Sequence, residues 1–190
     1  MNAPSAIVIG ASVGAIDALM KILPALPKGY WPAILVVVHV PPDRKSLLAS
    51  LFGERCAIPV KEADDKESVQ AGTIYFAPPN YHLLVEPDFT LSLSIDEPVH
   101  YSRPSVDVLF ESAADAYGDA LVGVILTGAN QDGADGLRAV WEAGGQALVQ
   151  NPATAEGTAM PLAAMAACPG AQVFPLEEIA AILKSYSSPN

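Results

Sequence analysis

Basic residues are scarce in this chain of 190 residues, which has 10 Lys and Arg against 21 Asp and Glu. The formal net charge of −11 argues against a nucleic-acid-binding protein, because there is no surplus of positive charge to displace counterions from phosphates. The same deficit argues against adhesion to anionic membrane surfaces. We therefore expect no nucleic-acid partner and no electrostatic membrane binding.

Cysteine is also rare, and long apolar runs are missing. Cys56 and Cys168 are too few for a disulfide framework, and no Cys/His cluster has the spacing of a zinc site. No apolar run reaches the roughly 18 residues that a membrane-spanning helix needs. The first residues lack the basic segment of a signal peptide. These absences predict a cytoplasmic protein without direct membrane insertion.

Hydrophobic residues make up 51% of the chain and charged residues only 16%, which is typical of a globular protein with a buried core. Short apolar runs alternate with helical patterns along the whole chain. Strands are predicted at 6–9, 33–38, 73–76, 120–126, 146–149 and 172–174. Helices are predicted at 13–23, 104–117, 133–143, 159–167 and 176–184.

Three further features complete the predicted fold. Asp43 is expected to cap a helix that carries Leu47 to Phe52, and residues 82–95 have the pattern of a β-hairpin. Pro104 is placed at the first position of its helix. Strands that alternate with helices indicate βαβ units. The prediction is a single three-layer α/β domain over 1–190, with a mostly parallel, doubly wound sheet and a β-hairpin on one flank.

Ligands of an open parallel sheet bind beyond the carboxyl ends of its strands, so the residues that follow the strands are the candidates for chemistry. The segment 10–14, GASVG, fits G-x-S-x-G between a strand and a helix. This tight turn can expose Ser12 as a nucleophile, and the N–H groups of the next helix can hold an oxyanion. The alternative is a phosphate-binding turn in which Ser12 only caps the helix. Dinucleotide and Walker fingerprints are missing.

His39 and Asp132 follow two other predicted strands. A histidine at a strand end is suited to act as a general base, although it can also be a structural residue. Asp132 can accept the Nδ1–H of His39 and fix its tautomer, or it can be the N-cap of helix 133–143. The chain order Ser, His, Asp differs from that of α/β-hydrolases.

Other titratable groups compete for these roles. Asp107 and Asp135 are alternative carboxylates, but each is predicted to lie within a helix. His82 and His100 are expected to be structural, since they fall in the hairpin and in the loop before Pro104.

Four segments in order resemble one known family. They are IGASVG at 9–14, HVPP at 39–42, RPSVDVL at 103–109 and LTGANQDGA at 126–134. Together they resemble the catalytic domain of CheB, the protein-glutamate methylesterase of bacterial chemotaxis, over essentially the whole chain. The resemblance implies a Ser12 nucleophile, a His39 base and an orienting Asp132. It also implies oxyanion-binding backbone N–H groups at Val13 or Ala129.

The function that the resemblance implies is hydrolysis of glutamate γ-methyl esters on the cytoplasmic helices of methylated chemoreceptors. Deamidation of receptor glutamines by the same acyl-enzyme is also implied, and no metal or organic cofactor is needed. Two alternatives remain open: a catalytically impaired scaffold that binds chemosensory signalling partners, and an esterase for a different carboxylic ester.

The chain departs from the family pattern in three ways. Val13 stands where the family usually has threonine, and Asn130 replaces a glycine. The nucleophile motif begins at Gly10, which leaves no room for the receiver domain that usually precedes it. The expectation is therefore a catalytic domain alone, which is either constitutively active or regulated by a protein in trans.

The acidic charge conflicts with a glutamate-rich substrate, because like charges repel. We therefore predict an uneven surface in which some of the few basic side chains offset negative charge near the cleft. The candidates are Arg44, Lys45, Arg103 and Arg138.

Overall fold

The computed structural model describes residues 5–39 and 47–186. In this part of the chain seven parallel strands form one sheet: β1 Ala6–Ala11, β2 Ala33–Val38, β3 Val60–Glu62, β4 Ile74–Phe76, β7 Leu121–Ile125, β8 Gln146–Gln150 and β9 Gln172–Phe174. The hairpin strands β5 His82–Val85 and β6 Leu91–Ser94 are antiparallel and form a separate small sheet. The helices are α1 Ala15–Ile22, α2 Leu48–Gly53, α3 Val106–Tyr117, α4 Ala134–Glu142, α5 Ala159–Ala167 and α6 Leu176–Ser185.

Two apolar cores cover the two faces of the sheet. Every residue of β1, β2 and β7 is buried, and successive side chains of a strand point to opposite faces. Ile7 and Ile9 pack in one core with α1, α2 and α6. Val8 packs in the other with α3, α4, α5 and the hairpin. The predicted three-layer, doubly wound α/β fold with a flanking hairpin is confirmed.

The strand order is β3-β4-β2-β1-β7-β8-β9, so the chain reverses its direction of travel across the sheet at β1. Ala6 pairs with Ala33 of β2 on one side and with Leu121 of β7 on the other. The carboxyl ends of these three strands therefore share one edge of the sheet. That edge is the topological switch point, where ligands bind in open α/β sheets.

The sequence predictions fail at two places in the fold. The short strand β3 was missed because it is half-buried at the sheet edge and has no apolar run. Pro104 is not the first residue of α3, since α3 begins at Val106 and Ser105 is its N-cap. The side-chain oxygen of Ser105 accepts the N–H of Val108 at 3.5 Å, so the serine starts the helix. Asp43 lies outside the described residues.

A close packing contact sets the distance between the sheet and α3. A Cβ atom at Gly10 would overlap the side chain of Val106, so only glycine lets α3 approach β1 this closely. Within residues 5–39 and 47–186, no helix has both the length and the apolar character needed to cross a membrane.

Candidate active site

Ser12 lies in the turn between β1 and α1. Its backbone N–H donates to the carbonyl of Thr127 at 2.9 Å, and its carbonyl accepts the N–H of Ala15 at 3.0 Å. The N-cap of α1 is Gly14, at φ 77°, and no side chain caps this helix. The alternative in which Ser12 serves as a helix cap is therefore wrong. Among the described residues the Ser12 hydroxyl has no hydrogen-bond partner, so it is available for chemistry.

His39 lies next to Ser12 at the same sheet edge. The last register pair of β1 and β2 is Ala11 with Val38, and Ser12 and His39 are the residues that directly follow this pair. The N–H of His39 donates to the carbonyl of Ala11 at 3.2 Å, which extends the ladder. Neighbouring strands lie about 5 Å apart. Ser12 and His39 are therefore adjacent.

Asp132 is fully buried, at 0% exposure, and receives four hydrogen bonds. The His39 Nε2, the Ser105 hydroxyl and the Val106 N–H each donate to it at 2.7 Å, and the Asp107 N–H donates at 3.0 Å. Three of these donors belong to the start of α3. The carboxylate is therefore anchored to a helix far away in the sequence.

The alternative role of Asp132 as the N-cap of its own helix is wrong. The N-cap of α4 is Gly133, at φ 97°, and no side chain caps this helix. Instead, the side chain of Asp132 occupies the N-terminus of α3, where free N–H groups favour a negative charge.

The environment keeps Asp132 ionised at neutral pH. Burial alone raises the pKa of a carboxyl group, but here the hydrogen bonds from His39, from the Asp107 and Val106 N–H groups and from Ser105 outweigh it. The pKa of Asp132 therefore lies below its ordinary value. An ionised carboxylate at 2.7 Å can stabilise a positively charged imidazole ring.

The predicted ring orientation of His39 is wrong. Asp132 was expected to meet Nδ1, but it contacts Nε2. Nε2 is the ring nitrogen farther from the backbone. It reaches the carboxylate because the N-terminus of α3 holds Asp132 away from the end of β2. The basic nitrogen left for chemistry is therefore Nδ1.

The backbone N–H groups of Val13 and Ala129 have no acceptor among the described residues, and both residues are exposed. The loop that carries Ala129 is held by its neighbour Gly128, whose N–H donates to Gly157 at 2.9 Å and whose carbonyl accepts from Met160 at 3.0 Å. The two free N–H groups suit the oxyanion role expected from the sequence.

Thr127 is a supporting residue that the sequence analysis missed. Its hydroxyl donates to the carbonyl of Val13 at 2.8 Å and accepts the N–H of Gly157 at 2.8 Å. Its N–H donates to the buried side chain of Gln150 at 2.9 Å. Thr127 thus links the turn after β1 to the loop after β7, and its place directly after a buried strand was the available signal.

His82 has the structural role predicted for it. The ring is buried at 2% exposure. Its Nδ1 accepts the N–H of Ser105 at 3.1 Å, and its Nε2 donates to the carbonyl of Glu97 at 3.1 Å. His82 therefore positions Ser105, which in turn donates to Asp132.

Three side chains, His100, Asp107 and Asp135, place ligand-type atoms within 4.8 Å of one another. His100 Nε2 lies 3.4 Å from Asp107 Oδ2, and Asp107 Oδ1 accepts the N–H of Gly136 at 2.7 Å. This is a histidine–carboxylate pair beside α4, and we assign no metal to it. Among the described residues no hydrogen bond joins the competing carboxylate Asp107 to His39, whereas Asp132 accepts one from His39.

The predicted basic rim of the cleft stays a prediction. Arg44 and Lys45 lie outside the described residues. The Arg103 guanidinium donates to Asn80 and to two backbone carbonyls. Arg138 is ion-paired with carboxylates of its own helix α4.

Comparison with known proteins identifies the family of this chain. The sequence model of the CheB methylesterase family matches residues 7–183. The chain belongs to the CheB methylesterase family. A Leptospira interrogans relative is 50% identical over 175 residues, which cover 92% of this chain and 91% of the relative.

Two further matches to this CheB-family chain are a longer related protein and a solved structure. The protein-glutamate methylesterase/protein-glutamine glutaminase of Symbiobacterium thermophilum is 38% identical over 174 residues. The match covers 92% of this chain but 48% of that protein, so the chain spans about half of its length. The crystal structure of the Thermotoga maritima CheB methylesterase catalytic domain is similar, with a TM-score of 0.89 and 31% identity. That match covers 96% of this chain and 98% of the other.

Proposed function

We propose that the chain is a serine esterase that hydrolyses γ-methyl esters of glutamate on the cytoplasmic helices of chemoreceptors. The observation that carries this proposal is the 2.7 Å contact between His39 Nε2 and the buried Asp132, at the strand edge where Ser12 follows β1. Membership of the CheB methylesterase family and the names of its relatives, protein-glutamate methylesterase/protein-glutamine glutaminase, support the choice of ester.

The first half-reaction forms an acyl-enzyme. Ser12 Oγ attacks the ester carbonyl carbon while its proton passes to His39 Nδ1, and Asp132 stabilises the imidazolium through Nε2. The N–H groups of Val13 and Ala129 donate to the oxyanion. The tetrahedral intermediate then breaks its bond to the methoxy oxygen, which takes the proton from Nδ1 and leaves as methanol.

The second half-reaction restores the enzyme. Water attacks the acyl carbon and gives one proton to Nδ1, and the bond to Ser12 Oγ breaks as Oγ recovers that proton. The products are a glutamate side chain and the free serine. A glutamine side chain can follow the same path with ammonia as the leaving group, which agrees with the glutaminase activity named for the relatives.

The test uses receptor-containing membranes whose glutamates carry labelled methyl esters. The wild-type chain is expected to release labelled methanol, and Ser12→Ala is expected to release none above background. Ser185→Ala is the matched control, since Ser185 is exposed in α6 and its hydroxyl donates to a carbonyl of its own helix. Unchanged release by Ser12→Ala would exclude the mechanism.

A serine-directed phosphonate separates the remaining alternatives. Stoichiometric labelling at Ser12 together with methanol release supports the receptor methylesterase. Labelling without methanol release indicates an esterase for a different carboxylic ester. Absence of both indicates a binding scaffold.

A further inference from the structure

The side chain of Asn130 lies against the imidazole of His39, and the mechanism above does not use it. Its Oδ1 accepts the backbone N–H of Asp132 at 3.2 Å. Its Nδ2 lies 3.4 Å from His39 Nδ1 and 3.5 Å from Ser102 Oγ. Because the amide oxygen is engaged by a backbone donor, the NH₂ group must face the histidine.

The neighbours of the ring determine which nitrogen carries the proton. Asp132 is ionised and can only accept, so His39 Nε2 donates to it at 2.7 Å. An amide NH₂ group can only donate, so Asn130 requires an unprotonated Nδ1. Both contacts therefore favour the same neutral tautomer, with the proton on Nε2.

This arrangement makes Asn130 a competitor of the nucleophile. In the proposed mechanism Nδ1 is the nitrogen that must receive the Ser12 proton, and its lone pair already faces the amide of Asn130. The Ser12 hydroxyl has no hydrogen-bond partner among the described residues. Once His39 carries both protons, the Asn130 NH₂ group would face another donor, which is unfavourable.

The contact is weak enough to be displaced. The distances of 3.4 Å to His39 and 3.5 Å to Ser102 are at the long end of the hydrogen-bond range. Asn130 thus has a second acceptor close by in the Ser102 hydroxyl. The NH₂ group already contacts both acceptors, so a small rotation of the amide can break the contact with His39, keep the one with Ser102 and leave Nδ1 free.

We propose that Asn130 is a restraining residue of this active site. It occupies the base nitrogen of His39 in the resting protein and slows attack by Ser12 until the amide turns away from the ring. This proposal rests on the proposed function, since it takes His39 as the base and Ser12 as the nucleophile.

Two substitutions of Asn130 have opposite expected effects on the rate at which the phosphonate labels Ser12. Asn130→Ala removes the competing donor and should speed labelling by about 2- to 10-fold, the effect of one neutral hydrogen bond. Asn130→Asp keeps the acceptor for the Asp132 N–H but also offers an acceptor to Nδ1, so labelling should fall below wild type. If Asn130 only stabilised the loop, the order of the two labelling rates would be reversed, because aspartate preserves the loop hydrogen bond and alanine does not.

The nitrogen NMR spectrum of the His39 imidazole gives a readout that does not depend on catalysis. The proton is expected on Nε2 alone in the wild type and in Asn130→Ala, and on both ring nitrogens in Asn130→Asp, where a carboxylate would face each of them. Gln131→Ala and Gln131→Glu are the matched controls. The exposed Gln131 carboxamide lies 3.4 Å from His100 Nδ1, so these variants should leave labelling and the His39 spectrum unchanged.

The possible failures are distinguishable. Labelling of Asn130→Ala no faster than wild type, or a His39 Nδ1 that stays unprotonated in Asn130→Asp, overturns the role of Asn130 while the esterase stands. Absence of labelling in every variant, wild type included, overturns the esterase. The imidazole spectrum then still decides whether Asn130 holds Nδ1.

Discussion

Two buried carboxyl groups lie side by side at the active-site edge, and the same substitution should affect them in opposite ways. Asp132 and Asp107 are 0% and 5% exposed. Hydrogen bonds lower the pKa of Asp132 despite its burial. Burial raises the pKa of Asp107 to about 6, and the charge of Asp132 adds to this effect against the hydrogen bond from Gly136. We predict that Asp107→Asn stabilises the protein and that Asp132→Asn destabilises it.

The size of the stabilisation expected for Asp107→Asn follows from the pKa of Asp107. A rise from 3.8 to about 6, at about 1.4 kcal/mol for each unit, sets a ceiling of about 3 kcal/mol on the cost of the ionised form. Asp107 faces the partly exposed His100, and solvent there reduces the cost to about 1–2 kcal/mol. Asparagine keeps an acceptor for the Gly136 N–H. The free energy of unfolding of Asp107→Asn should therefore rise by about 1–2 kcal/mol above about pH 7.

The size of the destabilisation expected for Asp132→Asn follows from the hydrogen bonds of Asp132. The carboxylate accepts four donors through two oxygens, whereas an asparagine has one acceptor oxygen and an NH₂ group. The Ser105 hydroxyl can rotate to accept from that NH₂ group, but the Asp107 N–H that shares its oxygen cannot. One buried donor left unsatisfied costs about 1–3 kcal/mol, so Asp132→Asn should lose at least this much.

The two effects have opposite pH dependence. The unfolded chain loses the Asp107 proton near pH 4 and the folded chain near pH 6, so the wild type loses stability as the pH rises through this window. The advantage of Asp107→Asn should therefore disappear near pH 4. The folded-state pKa of Asp132 is depressed, so its stabilising effect is present above the unfolded value and is lost as the pH falls through the folded one. The deficit of Asp132→Asn should shrink in acid.

Urea unfolding across this pH range, followed by the fluorescence of Trp31 and Trp141, measures both quantities. The double variant checks the coupling, since neighbouring charges should give non-additive effects. An Asp107→Asn variant that is less stable than wild type above about pH 7, or whose effect does not vary with pH, would refute the reasoning.

Two further predictions concern the packing around the site. Gly10→Ala should lower the free energy of unfolding by about 1–3 kcal/mol, because a Cβ would overlap Val106. Gly53→Ala is its control, since a Cβ there meets nothing within 4 Å and should be neutral or stabilising by up to about 1 kcal/mol; equal calorimetric Tm losses would contradict this. His82→Ala leaves the Ser105 N–H without its acceptor and should cost about 1–3 kcal/mol. It should also reduce kcat for methanol release more than it changes KM, and an unaltered kcat would argue against a positioning role.

The strands that carry the site could be predicted because they are buried on both faces. A strand such as β2, with all six residues buried, must be apolar throughout, and such a run is visible in the sequence. The edge strand β3 is half-buried and leaves no such pattern. The start of α3 was misplaced because a proline suits the first helical position, whereas the Ser105 side chain makes the cap.

The sequence by itself determined which residues follow the strands, at the carboxyl edge of the sheet. In a parallel sheet the carboxyl ends of the strands share an edge, so Ser12, His39 and the loop with Asp132 were expected on that edge once the strands were recognised. The order that places β1 between β2 and β7, and so brings the three together, comes from the structure. Only the tertiary structure decided how these groups are oriented. Asp132 is held by the N-terminus of α3, which turns His39 Nε2 toward the carboxylate and Nδ1 toward Asn130. These contacts depend on how closely α3 packs on the sheet, to within a few ångströms. No local sequence pattern encodes that distance.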